Sequence, residues 1–346
     1  MSQTVLYPLR FAPFYQYRLW GGRRLADLLS EPMPNGPVGE AWVLSDRDDH
    51  ASIVDNGTLK GQTLGQLMVE FHEQMMGKLA GRFQRFPLLL KFLDAHEMLS
   101  VQVHPGYPLD RPLPQGETAK TEAWVVIDAG KESRIYAGLK PGATPDILRQ
   151  SVINGTLADH LASFTPKPGD GVFIPAGTVH ALGGDVVVFE IQQNSDTTFR
   201  LYDWGHIDAK TGKPRALQVD QAMGCIDFAD GAAGLVKPVA DAAVPERELV
   251  FDCKPFRLGR VRSHSPFLVG AANSPHVLVC IEGKGQIEHD DAAYAVGKGE
   301  VWLLPAAVGI CRFRPSDAVE LLEIACSAGR RRHRKLIRIL NAAQGE

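Results

Sequence analysis

Three separated segments of the chain carry side chains that could together bind one divalent cation. They are His104, Glu122 and His180. Two imidazoles and one carboxylate form a donor set that suits zinc or non-haem iron and leaves a coordination position for water or substrate. Each residue alone is weak support, because a single histidine is more often an ordinary core or surface residue. At this point the sequence leaves open whether the three residues share one site.

The segment that ends at His104 indicates how such a site would be built. Residues 99–105 (LSVQVHP) alternate in polarity, so Ser100, Gln102 and His104 would share one face of a strand. This face would line a polar barrel interior, although a wet outer face would give the same pattern. On the first interpretation, Gln102 could add an oxygen ligand to the cation.

Two cationic side chains belong to the same polar set. The period of a strand places Lys120 on the same side as Glu122. Arg200 follows an apolar strand, and its guanidinium would suit a phosphate or carboxylate ligand. A structural salt bridge with Asp196 or Asp203 explains Arg200 equally well, and both interpretations stay open.

Composition excludes several classes of function. The 346 residues carry a formal net charge of −3, which is too close to neutral for a dedicated nucleic-acid binder. No apolar run reaches the ~18 residues that span a bilayer, and the first residues lack the pattern of a secretory signal. Five cysteines without a Cys-x-x-Cys pair favour free thiols over disulfides or a zinc finger. We therefore expect a cytoplasmic enzyme or binding protein, with no nucleic-acid or membrane partner.

Short strands separated by Gly and Pro turns predict a mainly β protein built from jelly-roll barrels. Helical spacing is confined to residues 64–71, residues 145–161 and the basic end of the chain at 330–343. The last of these predicts a solvated helix within a basic tail, residues 327–346.

An internal repeat predicts two barrels of one design. Residues 124–130 resemble residues 278–284, and residues 169–176 resemble residues 299–306. We expect a catalytic barrel over residues 1–235, with a helical insertion at about 141–165, and a second barrel over residues 246–326. In the second copy His276 matches Glu122 and Ile310 matches His180, so that barrel is predicted to lack the metal.

The ordered motifs resemble those of the type I phosphomannose isomerases in their short bacterial form, a family of the cupin superfamily. The matching stretches are residues 20–22 (WGG), 39–42 (GEAW), 86–93 (FPLLLKFL), 99–105 (LSVQVHP), 120–124 (KTEAW), 175–181 (PAGTVHA) and 192–204 (QQNSDTTFRLYDW). Residues 106–109 (GYPL) depart from the acidic residues usual there.

The resemblance implies a cupin fold with one zinc ion per chain and interconversion of mannose 6-phosphate and fructose 6-phosphate. It makes Gln102, His104, Glu122 and His180 the zinc ligands. It places Arg200 in the active site, Lys120 beside it, and Ser100 and Lys91 near the substrate phosphate.

The implied reaction moves a proton between C1 and C2 through a cis-enediolate, with Lys120 as first candidate for the base if burial near the metal lowers its pKa. Neutral histidine ligands predict that metal affinity falls as the pH drops through roughly 6. A non-haem iron oxygenase, a non-catalytic sugar-phosphate-binding protein and an isomerase of free sugars are the alternatives.

Overall fold

The computed structural model describes residues 5–29, 31–106, 113, 117–229 and 233–327. Apart from Ser327, the predicted basic tail therefore lies outside the described residues, as does most of the loop after Gly106. None of the helices within these ranges is both long and apolar enough to cross a bilayer.

Strands dominate the described part of the chain. In chain order they are β1 Leu9–Arg10, β2 Phe14–Gln16, β3 Glu40–Leu44, β4 Leu88–Ala95, β5 Val101–Val103, β6 Glu122–Ala129, β7 Arg134–Leu139, β8 Leu161–Phe164, β9 Gly171–Ile174, β10 His180–Gly183, β11 Val186–Gln193, β12 Phe199–Tyr202, β13 Ile207–Asp208, β14 Lys213–Pro214, β15 Leu235–Val236, β16 Val239–Ala240, β17 Arg247–Asp252, β18 Phe256–Ser263, β19 Phe267–Val269, β20 His276–Glu282, β21 Lys284–His289, β22 Ala292–Gly297, β23 Val301–Leu304, β24 Cys311–Pro315 and β25 Val319–Cys326.

The helices are short. They are α1 Leu25–Leu28, α2 Leu64–Glu70, α3 His72–Met76, α4 Pro145–Asn154 and α5 Val219–Met223, with 3-10 helices at Gly77–Arg82 and Leu157–His160. Helix α2 begins with a capping box between Thr63 and Gln66. Helix α4 has Thr144 as its N-cap and ends at Gly155, whose left-handed backbone (φ 72°) suits glycine. The two helical segments predicted within the described residues are thus present.

Two sheets form the first barrel. The larger has the strand order β15-β9-β6-β11-β4-β3-β2, and the smaller has the order β12-β5-β10-β7-β8. Strand β4 is buried along its whole length, and its neighbour β11 is buried except at its last residue, Gln193. Helix α4 and the second 3-10 helix lie between β7 and β8 in the chain, within the predicted insertion.

The second barrel repeats this strand order. Its larger sheet runs β1-β23-β20-β25-β18-β17-β16, and its smaller sheet runs β19-β24-β21-β22. The register is repeated too, because Glu122 pairs with Ile174 in the first barrel and His276 pairs with Leu304 in the second. The mainly β, two-barrel fold predicted from the sequence repeat is therefore confirmed.

The two barrels exchange edge strands. Strand β1, near the start of the chain, pairs with β23 of the second barrel, and β15, from the connecting segment, pairs with β9 of the first. A single apolar cluster contains residues from both barrels, among them Leu90 and Val279. We therefore keep residues 1–235 and 246–326 as the two proposed domains. Strand β1 belongs to the first domain by sequence but pairs with a strand of the second.

Candidate metal centre

Strand pairing in the smaller sheet of the first barrel brings three of the predicted site residues side by side. Strand β5 lies between β10 and β12, where Gln102 pairs with His180 on one side and with Arg200 on the other. Directly paired residues place their side chains on the same face of a sheet. His180, Gln102 and Arg200 therefore form one row across the barrel interior.

The two histidines both present the Nε2 atom to the interior. Nδ1 of His104 donates to the carbonyl of Thr197 at 3.0 Å, and Nδ1 of His180 donates to the carbonyl of Thr178 at 2.9 Å. A carbonyl can only accept a hydrogen bond, so each Nδ1 carries the proton and each Nε2 keeps a lone pair. This is the form in which an imidazole binds a metal.

Glu122 comes from the opposite sheet and lies between these two nitrogen atoms. Its Oε2 is 3.1 Å from Nε2 of His104, and its Oε1 is 3.3 Å from Nε2 of His180. All three side chains are at most 1% exposed, and their ligand atoms lie within 4.8 Å of one another. Within the described residues Oε1 of Glu122 has no hydrogen-bond partner, whereas Oε2 lies 3.0 Å from the ammonium of Lys120. Lone pairs that converge in a buried space fit a cation.

Gln102 adjoins the cluster with its amide nitrogen inward. The nitrogen donates to Nε2 of His180 at 3.2 Å, and the amide oxygen accepts from Ser100 Oγ at 3.4 Å. An amide nitrogen does not bind a metal, so ligation by Gln102 requires the amide to exchange its two ends. Ser100 is buried and contacts the row through Gln102.

Burial sets the protonation of the cluster. Burial, together with the charge of Lys120, lowers the pKa of His104 to about 3, and burial lowers the pKa of His180. Burial opposes ionisation of Glu122, but Lys120 and the two histidines hold its pKa well below its usual range. Both histidines therefore lose their proton at a lower pH than ordinary histidines, and we expect metal affinity to persist to a lower pH than ordinary histidine ligands would allow.

Lys120 is part of the cluster as an ammonium ion. Its Nζ is 3.0 Å from Oε2 of Glu122 and 3.1 Å from Nε2 of His104. Burial alone would lower the pKa of Lys120, but the carboxylates of Glu122, Glu190 and Asp196 outweigh it and the pKa is raised. This shift is opposite to the lowered pKa expected of a lysine base.

Arg200 has no carboxylate partner among the described residues. Its Nη1 donates to the carbonyl of Ala216 at 2.9 Å, and its buried Nε has no partner. Both proposed salt-bridge partners are engaged elsewhere, since Asp203 binds Arg215 and Asp196 lies 3.5 Å from Lys91. The salt-bridge interpretation of Arg200 is therefore wrong. Burial, with Arg215 nearby, lowers the pKa of Arg200.

Lys91, one of the predicted phosphate ligands, is surrounded by carboxylates. It is 4% exposed, and its Nζ lies 3.5 Å from Glu40, 3.9 Å from Glu190 and 3.5 Å from Asp196. It also lies over the ring of Trp42 at 4.5 Å. Its charge is already compensated, so a phosphate would have to displace a carboxylate, and Asp196 is the most exposed of the three at 44%.

Sequence reasoning missed several residues that hold the site. Glu190 accepts a hydrogen bond from Trp124 Nε1 at 3.0 Å, and burial with the nearby charge of Glu122 raises its pKa to about 7. Its position two residues before Gln192 on a buried strand was the available signal. The backbone carbonyls of Thr178 and Thr197, which accept from the two histidines, could not be predicted from side-chain types because every residue has a carbonyl.

The second barrel uses the matching positions differently. His276, which matches Glu122, and Arg247 both bind Glu323, at 3.1 and 2.8 Å. These residues line a cavity of about 1120 Å³. In the part of the chain that the structure describes, His104, Glu122 and His180 are the one group of ionisable residues with the spacing of metal ligands.

Comparisons with known proteins agree with this geometry. The sequence profile of phosphomannose isomerase type I, catalytic domain, matches residues 9–125. Mannose-6-phosphate isomerase ManA of Bacillus subtilis is 34% identical over 87% of this chain and 94% of its own length. Mannose-6-phosphate isomerase of Streptococcus mutans is 34% identical over 86% of this chain and 92% of its own length.

The crystal structure of mannose 6-phosphate isomerase from Bacillus subtilis superimposes with a TM-score of 0.83 at 28% identity and covers 92% of this chain and 99% of that one. Similarity therefore extends over both barrels, well beyond the profile match. The chain belongs to the type I phosphomannose isomerase family.

Proposed function

We propose that this protein is a zinc-dependent aldose–ketose isomerase that interconverts mannose 6-phosphate and fructose 6-phosphate. The observation that carries the proposal is the buried convergence of His104, Glu122 and His180 in the barrel interior. The names of the relatives support mannose 6-phosphate as the substrate, and the set of two imidazoles and one carboxylate supports zinc as the metal.

The residues present fit zinc. Two imidazole nitrogens and a carboxylate that face one another are the ligands of catalytic zinc sites, which keep a further position open. Gln102 would complete the set through its oxygen. A bound zinc ion would stabilise negative charge that develops on the sugar oxygens, an effect worth several kcal/mol.

Lys120 is our candidate for proton transfer between C1 and C2 through the cis-enediolate. Its ammonium adjoins the proposed ligands His104 and Glu122. Sharing Glu122 with a dication would weaken the attraction that now holds the proton and would lower the pKa of Lys120. General acid–base groups contribute about 10²- to 10⁴-fold in rate, so we expect Lys120→Gln to lose kcat at least 100-fold.

Arg200 would hold the anionic part of the substrate. Its unpaired Nε lies in the same cross-strand row as Gln102 and His180. A guanidinium without a carboxylate partner is free to donate to an enediolate or phosphate oxygen. We assign Ser100 and Lys91 to the phosphate end of the substrate, with Asp196 as the carboxylate that the phosphate would displace from Lys91.

Other aspects of the function remain predictions. We expect a cytoplasmic enzyme with the sugar phosphate as its partner and without nucleic-acid contacts.

The test is to purify His104→Ala and His180→Ala and measure zinc content and turnover of mannose 6-phosphate on the same samples. We expect both variants to lose stoichiometric zinc and isomerisation, because each removes one ligand. His96→Ala is the matched control, since His96 also contacts a carboxylate, Asp185 at 2.6 Å, but is 59% exposed. Turnover by a zinc-free variant at the wild-type rate would refute the proposal.

A further inference from the structure

Glu117 connects the segment that carries Lys120 and Glu122 with the turn at residues 195–197. Its carboxylate accepts from Arg47 Nη2 at 2.6 Å, from Ser195 Oγ at 2.8 Å and from the backbone N–H of Asp196 at 3.0 Å. Its side chain is only 13% exposed. Burial opposes its ionisation, but these donors lower the pKa of Glu117, so it holds them as an anion.

The turn that Glu117 binds also holds His104. Ser195 Oγ accepts the backbone N–H of Thr197 at 3.3 Å, and the carbonyl of Thr197 accepts Nδ1–H of His104 at 3.0 Å. The hydrogen bond to Thr197 fixes the ring so that Nε2 faces Glu122. Each step from Glu117 to the imidazole is thus a hydrogen bond to the same short turn.

Glu117 also precedes Lys120 by three residues in the segment that leads into β6. The backbone N–H of Lys120 donates to the carbonyl of Pro105, directly after His104. The segment carrying Lys120 and Glu122 is therefore attached to His104 at two points, through Pro105 and through Glu117 with its turn.

We propose that Glu117 is a positioning residue for the metal centre, which acts by holding the turn at residues 195–197 and so the orientation of His104. The inference rests on the proposed function, because it assumes that His104 binds the metal. Groups that orient a ligand through hydrogen bonds typically change metal affinity by about 10- to 100-fold when they are removed.

The experiment measures zinc affinity of the full-length protein by competition with a chelating indicator, alongside the melting temperature of the metal-free form. We expect Glu117→Ala to weaken zinc binding about 10- to 100-fold. Glu117→Gln keeps the shape and one acceptor oxygen, so its loss should be smaller. Glu288→Ala is the matched control, because Glu288 also binds an arginine, Arg314 at 2.7 Å, but lies in the second barrel.

A second variant separates positioning from stability. Ser195→Ala removes the hydroxyl that joins Glu117 to Thr197 and should also weaken zinc binding. In the double variant Ser195→Ala/Glu117→Gln, the loss of zinc affinity should be smaller than the sum of the two single losses. The inference is overturned if both Glu117 variants bind zinc as tightly as the control and only their melting temperature is lower. Failure of the wild-type protein to bind zinc would instead refute the proposed function.

Discussion

The ion pair between Lys120 and Glu122 gives a stability prediction that needs no metal. Nζ and Oε2 are 3.0 Å apart, and the side chains are 5% and 1% exposed. At an effective dielectric constant of about 20, this distance corresponds to an attraction of about 5 kcal/mol, and removal of one partner of a buried pair costs about 3–5 kcal/mol. Since Glu190 and Asp196 also attract Lys120, we expect Glu122→Gln to destabilise the metal-free protein by about 3 kcal/mol.

Urea unfolding of the metal-free protein, followed by circular dichroism, measures this cost. The double variant Glu122→Gln/Lys120→Met removes both charges and should recover at least half of it. Glu288→Gln breaks a pair with Arg314 that is 2.7 Å long but solvent-exposed, and should have little effect. Equal effects of Glu122→Gln and Glu288→Gln, or additive effects in the double variant, would refute the reasoning.

Three further predictions concern the metal and the substrate. Arg200→Ala should retain zinc and lose most of kcat/KM, whereas the control Arg262→Ala, at an exposed arginine, should match the wild type. Kinetics combined with metal analysis check this. Wild-type kinetics of Arg200→Ala would show that Arg200 has only a structural role. The pKa of His104 is lowered to about 3 in the folded chain, so the folded state binds fewer protons than the unfolded state below pH 6.5. Stability of the metal-free protein should therefore fall as the pH drops from about 6.5 towards 3 in urea titrations, and a pH-independent midpoint would contradict the shift. Zinc content after dialysis should likewise persist to a lower pH than ordinary histidine ligands would allow, and loss already near pH 6 would contradict the lowered pKa of the two histidines.

The sequence predicted the parts of the site that depend on local periodicity. Alternation over residues 99–105 placed Ser100 and Gln102 on the same face as His104, and the repeat predicted two barrels of one design. The first rests on side-chain order within one segment, and the second on the similarity between short segments of the two halves. The mainly β fold follows from the same signals, because turns and short apolar runs are local features.

Other parts of the site depend on pairings between distant segments. The row of His180, Gln102 and Arg200 requires the register of β5 with two other strands. The residues that pair with Gln102 lie 78 and 98 positions away in sequence, and no local pattern specifies this register. The exchange of β1 into the second barrel is a pairing of the same kind. The raised pKa of Lys120 could not be predicted because it depends not only on the neighbouring Glu122 but also on Glu190 and Asp196, which come from another segment.

The central claim is that this chain binds one zinc ion at His104, Glu122 and His180 and uses it for isomerisation. The most direct measurement is elemental analysis of the purified protein combined with mannose 6-phosphate turnover on the same sample, before and after chelation. We predict about one zinc per chain, loss of both zinc and activity on chelation, and recovery of both on addition of zinc. Full activity of metal-free protein, or iron accompanied by oxygen uptake, would contradict the claim.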